Sequence, residues 1–197
     1  MDLGTIRFWL WGLVGALALT AGAGVFLLRE PPKPASGFGT GSYDLVDQKG
    51  NAVDETIFVG HPSALFFGFT HCPEVCPTTM AEMAGWFEAL GDEGEDLRAY
   101  FVTVDPERDT PEILADYVGW VSDRITGLTG SPEEIAKIAR SWAVFYERVP
   151  LEGDDYTMDH SASVFLIDDN GEFQGTIAYR EDQTTALAKL RMLLAKS

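Results

Sequence analysis

The stretch that decides the fold is Ser63-Ala64-Leu65-Phe66-Phe67-Gly68-Phe69, followed by Thr70-His71-Cys72-Pro73-Glu74-Val75-Cys76-Pro77. Its first part is a continuous, largely apolar run of strand length, which is typical of a strand covered on both faces. Its second part holds both cysteines of the 197-residue chain. Helical periodicity then follows from Thr79 to Leu90. The cysteines therefore lie between a buried strand and a helix, where α/β folds carry their active loops.

The rest of the chain extends this pattern into an α/β fold. A second buried strand, Arg98–Val104, precedes a helix that begins near Asp109–Glu112. The other elements predicted from periodicity and turn residues are a β-hairpin within Tyr43–Phe58, a helix from the capping box Ser131–Glu134 to about Trp142, strands at Phe145–Val149, Ser163–Asp168 and Phe173–Tyr179, and a helix at Gln183–Ala195. This element order is that of a thioredoxin-like fold with an added N-terminal β-hairpin.

The N-terminal part of the chain predicts a membrane anchor. Phe8–Leu28 contains no charged residue, and as a helix it would span about 30 Å, the thickness of a bilayer core. Although Ala21-Gly22-Ala23 resembles a cleavage site, the run is longer than the roughly 7–15 apolar residues of a signal peptide. We expect one transmembrane helix within residues 1–28, a proline-rich linker over 29–41, and one domain over 42–197.

The charge of the chain limits its partners. With 14 basic and 31 acidic residues the formal net charge is −17, which repels phosphate backbones and argues against binding to nucleic acid.

A short tail followed by one span and a large domain favours export of that domain to a compartment where a cysteine pair can be oxidised. We therefore expect a single-pass protein of the inner (cytoplasmic) membrane with its domain in the periplasm.

The spacing of Cys72 and Cys76 suits two kinds of chemistry. Because Cys76 precedes Pro77, we expect Cys76 to be extended and Pro77 to open the following helix. Both sulfurs would then lie in a loop at a helix N-terminus, where unpaired amides and the macrodipole favour the thiolate. Two thiolates bind a soft ion such as Cu(I), and they also form a reversible disulfide. A purely structural Cys72–Cys76 disulfide is the simplest alternative.

A third candidate ligand is His160, within Asp159-His160-Ser161. It immediately precedes a predicted buried strand, and in thioredoxin-like folds the loop that enters this strand faces the cysteine loop. Of the other two histidines, His61 is expected in a solvated loop, and the side chain of His71 is expected to point away from Cys72.

Three motifs together resemble the signatures of the Sco/SenC family. They are Gly68–Pro77, Val104–Pro111 and Asp159–Ser161. The resemblance covers the chain from about residue 41 to its end. The family comprises copper chaperones that assist the assembly of cytochrome c oxidase, with a fold like that of thioredoxin and the peroxiredoxins and usually with an N-terminal membrane anchor.

The resemblance implies which residues hold the metal. By matched motif, the copper ligands would be Cys72, Cys76 and His160, and the site would bind Cu(I) and also Cu(II). Four further residues are candidates for a second layer around the metal: His71, Asp105, Asp109 and Asp159. For two of them we favour a structural interpretation, in which Asp105 ends a strand and Asp109 caps a helix.

The sequence therefore predicts an anchored copper metallochaperone rather than an enzyme. Its expected partners are the copper-site subunit of cytochrome c oxidase, which it would load, and another copper chaperone as donor. The alternative is a thiol–disulfide oxidoreductase that reduces cysteines of the oxidase subunit or of other exported proteins, and that has no obligatory use for His160. A peroxidase fits poorly, because peroxiredoxins place threonine or serine where this chain has Phe69 and Pro73. A structural zinc site would normally need a fourth protein ligand.

Overall fold

The structure is a computed structural model that describes residues 37–197, together with Asp2 and Trp11. Gly37–Ser197 form one compact unit. Within the part of the chain that is described, no helix has both the length and the apolar character needed to cross a membrane. The predicted anchor segment Phe8–Leu28 lies, except for Trp11, outside the described residues, and it stays a prediction.

The compact unit alternates strands and helices for most of its length. The strands are β1 (Leu45–Asp47), β2 (Ala52–Val53), β3 (Ser63–Gly68), β4 (Arg98–Thr103), β5 (Ile125–Thr129), β6 (Tyr146–Pro150), β7 (Tyr156–His160), β8 (Val164–Ile167) and β9 (Phe173–Ile177). The α-helices are α1 (Val75–Leu90), α2 (Pro111–Gly119), α3 (Pro132–Ser141) and α4 (Gln183–Leu194), and short 3-10 helices cover Glu55–Phe58 and Gly91–Gly94.

Seven of these strands form one mixed sheet in the order β2-β1-β5-β4-β3-β8-β9. Strands β3, β4 and β5 are parallel neighbours, whereas β1, β8 and β9 join by antiparallel pairing. Strands β6 and β7 pair only with each other, as a separate two-stranded sheet. The predicted α/β class and the N-terminal hairpin, which is β1–β2, are confirmed.

Both faces of β3 are covered, as its apolar sequence predicts, and all six of its residues are buried. Successive side chains of a strand point to opposite faces of a sheet. On one face Phe66 packs against Phe101, which in turn contacts Tyr117 of α2. On the other face Phe67 packs edge-on against Phe165, which contacts Trp142 at the end of α3. The central strand is therefore fixed from both sides, which gives the segment that follows it a rigid starting point.

Sequence patterns missed two strands for identifiable reasons. Strand β5 contains Gly127, where an added Cβ would lie 3.2 Å from the Cβ of Leu114 in α2. Because the helix packs so closely here, this position has no apolar side chain that would indicate a strand. Strand β7 was expected to be a loop, because its sequence Tyr-Thr-Met-Asp-His is polar. It belongs to a hairpin outside the main sheet, so most of its side chains are not enclosed by a core.

The predicted capping box at the start of α3 is only half formed. The hydroxyl of Ser131 accepts a hydrogen bond from the backbone N–H of Glu134, as expected for an N-cap. The carboxylate of Glu134 does not return to Ser131, because it accepts a bond from the backbone N–H of Asp44 at 2.8 Å and pairs with Lys137. Glu134 thus ties α3 to the entry of the first hairpin.

Candidate metal centre

The first cysteine lies in a turn and the second lies in a helix. The backbone N–H of Cys72 bonds to the carbonyl of Phe69 at 3.3 Å, closing a turn directly after β3. Helix α1 begins at Val75, so Cys76 and Pro77 are in its first turn. The expectation that both sulfurs lie in a non-helical loop is therefore wrong for Cys76. Proline is tolerated there because the first N–H groups of a helix have no partner within the helix.

Strand β3 makes room for the sulfur of Cys76. Cys76 is fully buried, and a Cβ added at Gly68 would lie 2.8 Å from its Sγ. A side chain at the last position of β3 would therefore displace the thiol. Cys72, by contrast, is only partly buried. One sulfur is thus fixed against the strand and the other stays accessible from outside.

The third donor comes from the hairpin. His160 is the last residue of β7, and its Nε2 lies 3.4 Å from the Sγ of Cys76. Its Nδ1 lies 2.9 Å from the carbonyl oxygen of Ser161. A carbonyl only accepts hydrogen bonds, so Nδ1 carries the hydrogen and Nε2 is the nitrogen that can bind a metal ion. The rings of Phe66 and Phe69 pack edge-on against the imidazole and fix its plane.

The structure brings the three predicted ligand residues together. The donor atoms of Cys72, Cys76 and His160 all lie within 4.8 Å of one another. Among residues 37–197 this is the one group of three or more Cys, His, Asp or Glu side chains with such a spacing. The two sulfurs are not bonded to each other in this structure.

The two thiols have opposite pKa shifts. The hydrogen bond from Cys76 lowers the pKa of Cys72 to about 3 against the opposing effect of burial; the backbone N–H groups of Cys76 and Glu74 act in the same direction as that bond. The same contact with Cys72, followed by burial, raises the pKa of Cys76 far above its ordinary value. The reduced pair therefore shares one proton, with the negative charge on the more accessible sulfur.

Asp109 holds the cysteine segment in place and does not cap a helix. Its buried carboxylate accepts hydrogen bonds from the backbone N–H of Thr70 at 3.0 Å, from the Thr70 hydroxyl at 2.6 Å and from the Thr103 hydroxyl at 2.6 Å. The N-cap of α2 is Thr110, whose side chain accepts from the N–H of Ile113. The capping interpretation of Asp109 was therefore wrong.

Asp105 holds the hairpin that carries His160. It follows the end of β4, as expected, and its buried carboxylate accepts bonds from the Tyr156 hydroxyl at 2.8 Å and from Nε of Arg108. Arg108 also donates to the backbone carbonyl of Tyr156 at 3.0 Å and lies 3.7 Å over its ring. The guanidinium of Arg148 stacks on the same ring at 3.5 Å. Arg148 belongs to β6 itself. The contacts of Asp105 and Arg108 with Tyr156 therefore attach the hairpin, which lies outside the main sheet, to the domain.

The other two candidates of the second layer are more exposed. His71 is beside Cys72, and its Nδ1 is 3.1 Å from the hydroxyl of Thr70. Asp159 is opposite Glu147 in the hairpin, with both side chains exposed. Neither His71 nor Asp159 belongs to the three-donor cluster.

Sequence reasoning missed three residues that position the ligands, namely Thr70, Arg108 and Tyr156. Two of them, Thr70 and Arg108, stand inside the recognised motifs. Thr70 binds Asp109, 39 positions away, and Arg108 binds Tyr156, 48 positions away, while Tyr156 stands in no motif at all. Only the fold shows that these side chains meet.

The fold and the site together define a thioredoxin-like domain with two cysteines and one histidine placed so that they could hold a metal ion. The family model described as SCO1/SenC matches residues 33–195. A SCO2-like protein of Rickettsia felis is 36% identical over 171 residues, which cover 81% of both chains. The human protein SCO1 homolog, mitochondrial, is 37% identical over 148 residues, covering 74% of this chain and 48% of the human one.

Solved structures agree with this match. The structure of Bradyrhizobium japonicum ScoI with copper bound has a TM-score of 0.73 and 39% identity, covering 81% of this chain and 99% of that one. The structure of Arabidopsis thaliana ScoI with copper bound has a TM-score of 0.75 and 33% identity, covering 83% and 100%. The chain belongs to the SCO1/SenC family, as its three motifs indicated.

The proton shared by the two cysteines predicts how the alkylation of Cys72 depends on pH. In the reduced, folded protein we expect iodoacetamide to modify Cys72 at a nearly constant rate from about pH 5 to pH 8, because its lowered pKa leaves it ionised throughout. Cys76→Ala removes the donor that contributes most, so modification of Cys72 should then require a higher pH. Mass spectrometry of peptides after timed alkylation measures both rates. Folded wild-type protein that titrates near the ordinary cysteine pKa of about 8.5 would contradict the assignment.

A second prediction concerns the attachment of the hairpin. Tyr156→Phe removes a hydrogen bond to a carboxylate, a loss of about 1.5–3 kcal/mol, and should speed amide hydrogen exchange in β6 and β7. The matched control is Tyr146→Phe, since no hydrogen bond of the Tyr146 hydroxyl occurs in the described part of the chain and this residue pairs directly with His160. Equal exchange rates in the two variants would show that the Tyr156–Asp105 contact does not attach the hairpin.

Proposed function

We propose that this chain is a copper metallochaperone that loads the binuclear copper site of cytochrome c oxidase during assembly. The observation that carries the proposal is the cluster of Cys72, Cys76 and His160, with donor atoms within 4.8 Å of one another on the scaffold of the SCO1/SenC family. Two structures of this family that are more than 30% identical to the chain contain copper. The choice of the oxidase as recipient follows from the family resemblance.

The donor set favours copper over the other common metals. Two thiolates and one imidazole give a soft, three-coordinate site, which suits Cu(I), and the imidazole also suits Cu(II). Structural zinc sites normally use four protein ligands, and no fourth Cys, His, Asp or Glu joins the cluster among the described residues. The site is therefore suited to hold a copper ion and to release it.

The unequal burial of the donors supports transfer rather than storage. Cys76 is enclosed, whereas Cys72 is partly exposed and carries the negative charge of the pair. A ligand of a partner protein can approach the ion from the side of Cys72, so that one new bond forms before an old one breaks. The donors also come from two separate segments, and a small displacement of the hairpin would remove His160 from the ion.

Membrane attachment is part of the same proposal. A single span within Phe8–Leu28 would anchor the chain in the cytoplasmic membrane, with the domain in the periplasm and the linker holding it near the bilayer. Tethering two proteins to one membrane raises their effective concentration toward each other. A membrane-bound oxidase subunit as copper acceptor, and a second copper chaperone as donor, fit this arrangement.

The second candidate function is thiol–disulfide exchange, and the low pKa of Cys72 favours it. The Cys72 thiolate would attack a disulfide of an exported protein and form a mixed disulfide, releasing one target thiolate. Cys76 would then lose its proton and attack Cys72 Sγ, releasing the second target thiolate. The target gains two electrons and this chain becomes the Cys72–Cys76 disulfide. A thiol reductant outside the cytoplasm would have to restore the dithiol.

The two functions differ in their need for His160. We expect the reduced wild-type protein to bind one copper ion, and Cys72→Ala or Cys76→Ala to abolish binding because the thiolate pair is lost. His160→Ala should weaken copper binding sharply and stop oxidase loading, while the cysteines still cycle between thiol and disulfide. The solvated His61 provides the control, and His61→Ala should change none of these properties. Copper content, chelator competition and oxidase activity at limiting copper are the measurements.

Each outcome favours one function. Stoichiometric copper in the double cysteine variant would contradict the metallochaperone function. Normal oxidase assembly in a His160→Ala strain at limiting copper would favour the oxidoreductase instead.

The anchor is tested separately by fractionation. Full-length protein should remain with the membranes after a high-salt wash, and in intact spheroplasts added protease should digest the domain. Resistance to protease until the cells are lysed would place the domain on the cytoplasmic side. A mature N-terminus near Gly24 would show instead that the apolar segment is a cleaved signal peptide.

A further inference from the structure

A second histidine, His71, directly precedes the first cysteine of the metal centre in the chain. His71 is in the turn that ends at Cys72, and 54% of its side chain is exposed. It is not one of the three donors whose atoms lie within 4.8 Å of one another. Its Nδ1 lies 4.0 Å from Oδ1 of Asp109, whereas its Nε2 makes no hydrogen bond within the described residues.

Hydrogen bonds fix the tautomer of this imidazole. The Thr70 hydroxyl donates its only hydrogen to Oδ1 of Asp109 at 2.6 Å, because a buried carboxylate can only accept. The same hydroxyl oxygen therefore accepts from His71, whose Nδ1 lies 3.1 Å away. Nδ1 carries the hydrogen, and Nε2 presents a free lone pair. With Nδ1 bonded to Thr70, Nε2 is the ring nitrogen that remains available to a metal ion.

This arrangement has the same form as that of the resident ligand. Metal-binding histidines generally donate their other ring N–H to a carbonyl or carboxylate, which fixes the ring and raises the basicity of the ligating nitrogen. His160 does so to the Ser161 carbonyl, and His71 does so through Thr70 to Asp109. The hydrogen bonds of His71 are thus those expected of a metal ligand, although it lies outside the cluster.

The donors also form a sequence from solvent to interior. His71 is exposed, Cys72 is partly buried, and Cys76 is fully buried. His71 and Cys72 are adjacent in the chain, so their Cα atoms are about 3.8 Å apart. Of these three side chains, the imidazole is the most accessible to a copper ion held by a partner protein.

We propose that His71 is a transit ligand for copper. Its Nε2 binds the ion while the ion passes between a partner protein and Cys72, and releases it once both thiolates and His160 are bound. Each step exchanges one ligand for another, and the oxidation state of copper does not change. This inference rests on the proposed copper-carrying function and adds a residue that affects the rate of transfer rather than the affinity of the resident site.

The test uses His71→Asn in the full-length, reduced protein loaded with one Cu(I). The amide N–H of asparagine takes the place of Nδ1–H as a donor to Thr70, so the turn is kept while the metal-binding nitrogen is removed. His61→Asn is the matched control, because His61 is also exposed and its side chain makes no hydrogen bond within the described residues. Stopped-flow transfer of Cu(I) to bathocuproine disulfonate gives the rate, and equilibrium competition with the same chelator gives the affinity.

We expect His71→Asn to slow transfer by about tenfold, which corresponds to about 1.4 kcal/mol at the transfer step. Affinity should stay within about twofold of the wild-type value, and His61→Asn should change neither quantity. Circular dichroism and the pH profile of Cys72 alkylation establish that the variant keeps the wild-type fold and thiol pair. Slower transfer with unchanged affinity in His71→Asn, and no change in His61→Asn, would support the role of His71 as a transit ligand.

Three results would overturn the inference. They are an unchanged transfer rate in His71→Asn, an equal slowing in His61→Asn, and a tenfold loss of affinity in His71→Asn, which would make His71 a resident ligand. Failure of the wild-type protein to bind copper would overturn the proposed function and the transit ligand with it. Normal copper binding with an unchanged rate would overturn the transit ligand alone.

Discussion

The carboxylate of Asp109 is fully buried and accepts three hydrogen bonds, two from Thr70 and one from Thr103. A buried carboxylate is tolerated only when its oxygens are satisfied, and bonds to a charged group contribute about 1.5–3 kcal/mol each. These bonds fix the start of the cysteine segment against the end of β4. The positions of Cys72 and of the turn that contains it therefore depend on the hydrogen bonds to Asp109.

The same loop of the chain holds the other half of the metal centre. Four residues before Asp109, Asp105 binds the hydroxyl of Tyr156 and the guanidinium of Arg108, and so attaches the hairpin that ends at His160. Two carboxylates of a single loop after β4 thus hold the site: one binds the cysteine segment, and the other binds the hairpin that carries the histidine. This explains why both aspartates occur in one motif and why neither needs to touch the metal. The thiols thus follow a central strand of the main sheet, whereas the imidazole lies on a hairpin outside that sheet.

Much of this could be predicted from the sequence, because the deciding features are local. The apolar run of β3 and the periodicity of α1 indicated their own structure, and the cysteine spacing with a distal histidine indicated the donor set. Most of what failed depended on distant contacts; the exception is Cys76, which was expected to be extended but lies in the first turn of α1. Asp109 and Thr70 are 39 positions apart and Asp105 and Tyr156 are 51 apart, so no local pattern relates them. Strand β7 was missed because a hairpin outside the main sheet has no need of an apolar pattern.

Two thiolates and one imidazole, from separate segments, are proposed to hold one copper ion. X-ray absorption spectroscopy at the copper edge of the reduced, copper-loaded protein measures this donor set. We expect a three-coordinate Cu(I) with two sulfur neighbours and one nitrogen neighbour, and with the outer-shell scattering of a single imidazole. A two-coordinate ion bound by sulfur alone, or an ion with no sulfur neighbour, would contradict it.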